Sequence, residues 1–182
     1  MTASPAPEPT DGFEALLEGG HPNSLGRTAE VVEFVLADQR RLAELFACYF
    51  SSDPVVRLRT SNAMKRICAK QPECLLPYLS RMLTEVAHID QAPAQWTLAQ
   101  LFAKLEAGMT PAQRAAATEI LKRNLSQHTD WIVLTQTMQT LAGWAAHDGA
   151  LNTWLRPHLN RLSKDPRKSV AGRARRLLDR KT

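Results

Sequence analysis

Aromatic residues make up only 6% of the 182-residue chain, and runs in which Val, Ile or Thr alternate with polar residues are almost absent. Strands draw on both, so a sheet is excluded as the main architecture and helices are favoured. No apolar stretch approaches the roughly 20 residues that a membrane-crossing helix needs. The opening MTASPAPEPTDG has neither the basic start nor the apolar run of a secretory signal. A cytoplasmic chain without membrane contact is expected. The three cysteines, Cys48, Cys68 and Cys74, form no CxxC pair, and their odd number closes no disulfide framework. They are expected to be buried, reduced thiols on apolar helix faces.

Groupings that carry chemistry are missing as well. His21, His88, His128, His147 and His158 are scattered, without HExxH spacing and without the Cys/His pairing of a zinc site. The glycines of EGGHPNSLG neither follow a strand nor have the spacing of a phosphate-binding loop. No Ser or Cys has an identifiable base beside it in the sequence. The expectation is a protein that is not an enzyme and that carries no cofactor or metal.

What is present is apolar bulk and uneven charge. Hydrophobic residues form 44% of the chain, enough to bury a core. Residues 1–50 hold eight acids and three bases, 51–166 nine acids and thirteen bases, and 167–182 one acid and seven bases. The basic end therefore exceeds the net charge of +5 by itself. Such a cluster is either an electrostatic footprint for an anionic partner or the solvated face of a terminal helix.

Residues 1–12, rich in Pro, Ala and Glu, read as a disordered tail, and 13–27 as a short helical turn at Phe13 to Leu17 followed by a Gly/Pro loop. From Thr28 onward, helix starts recur, each followed by apolar residues three and four apart. Asp38, Asp53, Thr110 and Asp130 are candidate N-caps, Pro54, Pro93 and Pro111 suit a first turn, and Thr110 with Gln113 has capping-box spacing. Helices are predicted near 28–36, 39–51, 54–69, 73–88, 92–106, 111–127, 131–147, 150–163 and 167–180.

These helices repeat. VRLRTSNAMKRI from Val56, QWTLAQLFAKLE from Gln95, VLTQTMQTLAGW from Val133 and VAGRARRLLDRK from Val170 start 39, 38 and 37 residues apart. In this register Thr60, Ala99, Thr137 and Ala174 coincide, as do Met64, Ala103, Leu141 and Leu178. LLPYLSRML at Leu75 matches LRPHLNRLS at Leu155, two periods on, aligning Pro77 with Pro157 and Arg81 with Arg161. A period of a few tens of residues marks a repeat architecture. DPVVRLRTSNAMKRI resembles the second helix of a HEAT repeat, with Asp before the helix and Val-Arg in its first turn, and the proline inside the first helix is also HEAT-like. Only this first pair has the complete signature. The resemblance covers residues 28–182 and implies an all-α, right-handed α-solenoid of about four antiparallel helix pairs after an initial helix. It further implies that Asp53 and Arg57 pair along the stack as a structural ladder.

Solenoids offer an extended concave surface. The resemblance thus implies a monomeric scaffold that docks a partner protein, with Arg59, Arg66, Gln100, Lys104 and Gln136 as candidate contacts. Arg59, Asn62 and Arg66 read as one exposed stripe. The alternative is a nucleic-acid-binding protein using Lys168, Arg173, Arg175, Arg176, Arg180 and Lys181, opposite the apolar Val170, Ala174, Leu177 and Leu178. Some alkylpurine DNA glycosylases are also built from HEAT-like repeats, with tryptophans and a carboxylate near the lesion. Trp131 beside Asp130 fits that arrangement, but Asp130 reads equally as an N-cap, and tryptophans at helical spacing are more often core.

Overall fold

The computed structural model describes residues 12–21 and 24–179, and every regular element among them is helical. Nearly all of the predicted tail, together with Arg180 and Lys181, lies outside the described residues. The chain divides after Leu75 into two units, a division that falls inside the stretch 28–182.

The first unit holds α1 (Phe13–Leu17), α2 (Thr28–Ala37), α3 (Leu42–Ala47) and α4 (Pro54–Lys70). α4 begins where the sequence places it. Asp53 Oδ1 accepts from the Val55 N–H at 2.7 Å, Pro54 occupies the first turn, and Val56, Thr60, Ala63, Met64 and Ile67 are buried on one face. Arg57 donates to the carbonyls of Ser51 at 2.6 Å and Ser52 at 3.1 Å. These bonds of Asp53 and Arg57 close the turn into α4. The helix predicted over 39–51 is broken into the 3-10 turn Gln39–Arg41, α3 and the 3-10 turn Cys48–Phe50. Asp38 starts the first of these by accepting from the Arg40 N–H.

α1 packs against α2, α3 and α4. Glu44 accepts its first N–H, from Phe13, at 2.7 Å, and the Arg41 guanidinium lies 4.1 Å from the centre of the Phe13 ring.

The second unit holds α5 (Leu79–Thr84), α6 (Ala92–Leu105), α7 (Pro111–Gln127), α8 (Trp131–Ala145), α9 (Gly149–Leu162) and α10 (Lys168–Leu178). The helix expected over 73–88 is again divided, with α5 between the 3-10 segments Pro72–Tyr78 and Val86–His88. Pro77 falls in the 3-10 segment, whereas Pro157 is accommodated inside α9. Asp130 Oδ1 accepts from Ile132 and Val133 N–H groups, and Asp148, not singled out from sequence, caps α9.

The helices of this unit form two layers. α6 packs on α8 and α8 on α10, while α5 lies against α7 and both α7 and α9 pack on α8. Arg161 of α9 donates to the Leu125 carbonyl of α7, completing the second layer. The layers meet on Leu98, Phe102, Leu121, Met138, Leu141 and Leu155, all buried. Ala99 is the small residue that lets α8 approach α6, and its carbonyl accepts from the Thr140 hydroxyl at 2.8 Å. Ala103, placed with the apolar repeat positions in the sequence, is exposed, because α6 turns it toward a groove beside Gln139 and Gly143.

Candidate functional site

Arg59 was expected on an exposed stripe and is instead buried, with 1% of its surface exposed. Its Nη1 donates to the carbonyls of Leu17, Glu18 and Gly19 at 2.7, 3.0 and 2.7 Å. Nη2 and Nε reach the carbonyls of His21 and Ser24. The loop after α1 thus wraps the guanidinium and removes Arg59 from any contact surface. Arg66, on the same helix, is exposed and donates to Asn62 Oδ1 at 2.7 Å.

Gln100, Lys104 and Gln136 fall on the outward side of the α6–α8–α10 layer. The positions of α6 that escape burial include Trp96, Gln100, Ala103 and Lys104, and those of α8 include Ile132, Gln136, Gln139 and Gly143. Both sets follow the three-and-four spacing of one helix face. On α10 the corresponding positions are Gly172, Arg173 and Arg176. Arg173 joins α10 to α8, its Nη1 donating to Gln139 Oε1 at 2.6 Å. Ala103, Gln139, Thr140 and Gly143 line one shallow groove between α6 and α8, closed at one end by Glu106, Trp144 and His147. The strip presents amides and cations, and none of the three helices contains an Asp or Glu. Gln139 was missed from sequence, although its place one turn beyond Gln136 was the available signal.

The basic end is less free than its composition suggests. Arg175 gives two bonds to the Ser163 carbonyl, at 3.1 and 2.9 Å, and so closes the end of α9, while Lys168 and Arg176 are exposed. Of the apolar face expected opposite them, Val170, Ala174 and Leu177 are buried and Leu178 is half-buried.

Two further clefts satisfy most of their own polar groups. In one, Asn124 Nδ2 donates to Gln95 Oε1 at 2.9 Å, Gln95 Nε2 to the Ile89 carbonyl at 2.8 Å, and Arg123 to the Ala87 carbonyl. His128 Nδ1 accepts from the Asp130 N–H, which leaves the ring to brace the start of α8. In the other, the Arg114 guanidinium lies 3.5 Å from the centre of a Trp144 ring and pairs with Glu106 at 3.0 Å. Trp131 is 46% exposed at the start of α8, and the Asp130 carboxylate beside it is occupied as a cap.

Burial pushes the Cys48 thiol up to about 12 and the Cys74 thiol up to about 11, so neither is a thiolate near neutral pH. Among the described residues no group of three or more His, Cys, Asp or Glu side chains is placed to hold a metal ion. No helix among them is long and apolar enough to cross a membrane. Compared with known proteins, the chain matches no family model, and no curated protein or solved structure matches it.

Proposed function

We propose that this chain is a non-enzymatic docking module, a right-handed α-solenoid of HEAT-like helix pairs that holds an extended segment of a partner protein along α6, α8 and α10. It works as a monomer in the cytoplasm. The observation that carries the reading is the strip itself: Gln100, Gln136 and Gln139 stand on successive turns and neighbouring helices, with Lys104, Arg173 and Arg176 at its sides. A glutamine amide both donates and accepts, so a row of them matches the alternating N–H and C=O groups of an extended chain. Nucleic acid fits less well. Of the cations assigned to that role, Arg175 is held by two bonds to the Ser163 carbonyl, and no aromatic stacking platform interrupts α10.

A photo-crosslinking residue at Gln136, compared with one at the exposed Asn160 on α9, tests the surface directly. Crosslinks to a discrete protein from position 136 and none from 160 are expected. Equal capture from both positions, or recovery of nucleic acid from 136, would overturn the proposal.

A further inference from the structure

We infer that the segment docked on this strip is acidic, and that Arg173, positioned by Gln139, recognises its carboxylate. The inference rests on the docking reading above and names the chemistry of the partner.

Arg173 is half-buried and always charged, yet no carboxylate pairs with it among the described residues. One of its five N–H groups donates to Gln139, and its Nε is buried with no acceptor. Three arginines of this unit have a carboxylate, Arg81 with Glu85, Arg114 with Glu106 and Arg167 with Asp165, and Arg123, Arg161 and Arg175 are held by backbone carbonyls, whereas Arg173 has a single amide oxygen and a buried Nε with no acceptor. A partly desolvated guanidinium with spare donors is unfavourable in isolation and favourable once a carboxylate reaches it.

The surroundings share its sign. Lys104 and Arg176 are exposed on the flanking helices, and α6, α8 and α10 contribute no acid to oppose them. One carboxylate, Glu106, does line the groove beside Gln139, but it is already held by Arg114 at 3.0 Å. Space is available too. A Cβ placed on Gly143 or Gly172 would meet no atom within 4 Å, so the backbones of α8 and α10 are open to close approach at these glycines. The interleaved glutamines favour an acidic peptide over a run of phosphates, which would need cations at every step.

The test is fluorescence anisotropy at low and raised salt with three probes: a short peptide alternating Glu and Ala, the same peptide with Gln for Glu, and a single-stranded oligonucleotide of equal length. The acidic peptide is expected to bind about tenfold tighter than its neutral counterpart, the scale of one charge-assisted pair. Arg173→Gln should remove that preference. Gln139→Glu should remove it too, by giving Arg173 an internal carboxylate, and should raise the thermal midpoint, which shows that the variant folds. The inference fails if the neutral peptide binds equally well, if either variant keeps the preference, or if the oligonucleotide binds in place of the peptide. Absence of acidic-peptide binding, with crosslinking from Gln136 intact, would sink the acidic assignment and leave the docking reading standing. Loss of both would sink the two together.

Discussion

Arg59 holds five backbone carbonyls with one guanidinium and no carboxylate. The carbonyls at the end of α1 and in the loop behind it would otherwise be orphaned, and their dipoles compensate a charge that water cannot reach. Gly26 completes the arrangement. Its φ is +50°, a left-handed conformation, and a Cβ there would stand 2.9 Å from the Arg59 guanidinium carbon. Arg59→Met keeps the apolar stem and strands the carbonyls, so a loss of about 3 kcal/mol is expected in urea denaturation. Gly26→Ala should cost about 1–2 kcal/mol through strained φ and crowding of the guanidinium. Wild-type stability in both variants would show that the loop is not anchored this way. None of this was legible beforehand, because the acceptors are backbone atoms about 40 residues away and leave no side-chain pattern.

Helix starts were legible at Asp53, Thr110 and Asp130, where a side chain writes the cap locally, although the same kind of cap at Asp148 was passed over. Thr110 Oγ1 accepts from the Gln113 N–H at 3.2 Å, and Gln113 Oε1 accepts from the Thr110 N–H at 3.0 Å, the reciprocal box implied by TPAQ. Thr110→Ala is expected to cost about 1 kcal/mol, read as a shift in the urea midpoint, with Thr110→Ser losing much less. An unchanged midpoint in the alanine variant would mean that α7 is held by packing alone. Interiors were harder to read. Over one or two turns the period of a 3-10 helix is hard to tell from that of an α-helix, so the breaks around α3 and α5 left no mark in the hydrophobic spacing. Periodicity also says which face a residue occupies, not what covers that face. Arg59 and Arg66 lie about 20° apart on a helical wheel, yet the loop after α1 buries the first and leaves the second exposed.

The helical content of the described residues followed from the composition, and the register of matching segments located their tight contacts. Thr60, Ala99, Thr137 and Ala174, aligned by that register, are all 0% exposed. Small residues at these positions are set by helix-to-helix distance. The docking strip was only partly legible, since exposed glutamines obey no such constraint. The same chain shows how its stability should depend on acid. Burial and the neighbouring Arg161 charge hold the His158 imidazole below its usual range, with Nδ1 buried and unpaired and the ring 4.1 Å from Trp154. The hydrogen bonds from Arg167 hold the Asp165 carboxyl at about 2. In the unfolded chain, His158 takes its proton near about 6.5 and Asp165 near about 3.9. The fold favours neutral His158, so its contribution is complete above the unfolded value and is lost as pH falls toward the lower folded value. The fold favours charged Asp165, whose contribution is present above the ordinary carboxylate range and is lost as pH falls through about 2. Exposed pairs such as Arg27–Glu30 and Arg81–Glu85 add little in salt. Urea midpoints should therefore fall in two separate acid steps. His158→Phe, which keeps a ring against Trp154, should flatten the upper step alone, and Asp165→Asn the lower one alone. A wild-type midpoint that rises between neutral pH and the lower end of the histidine range would overturn the assignment to His158, because protonating a buried, unpaired imidazole beside Arg161 can only weaken the fold.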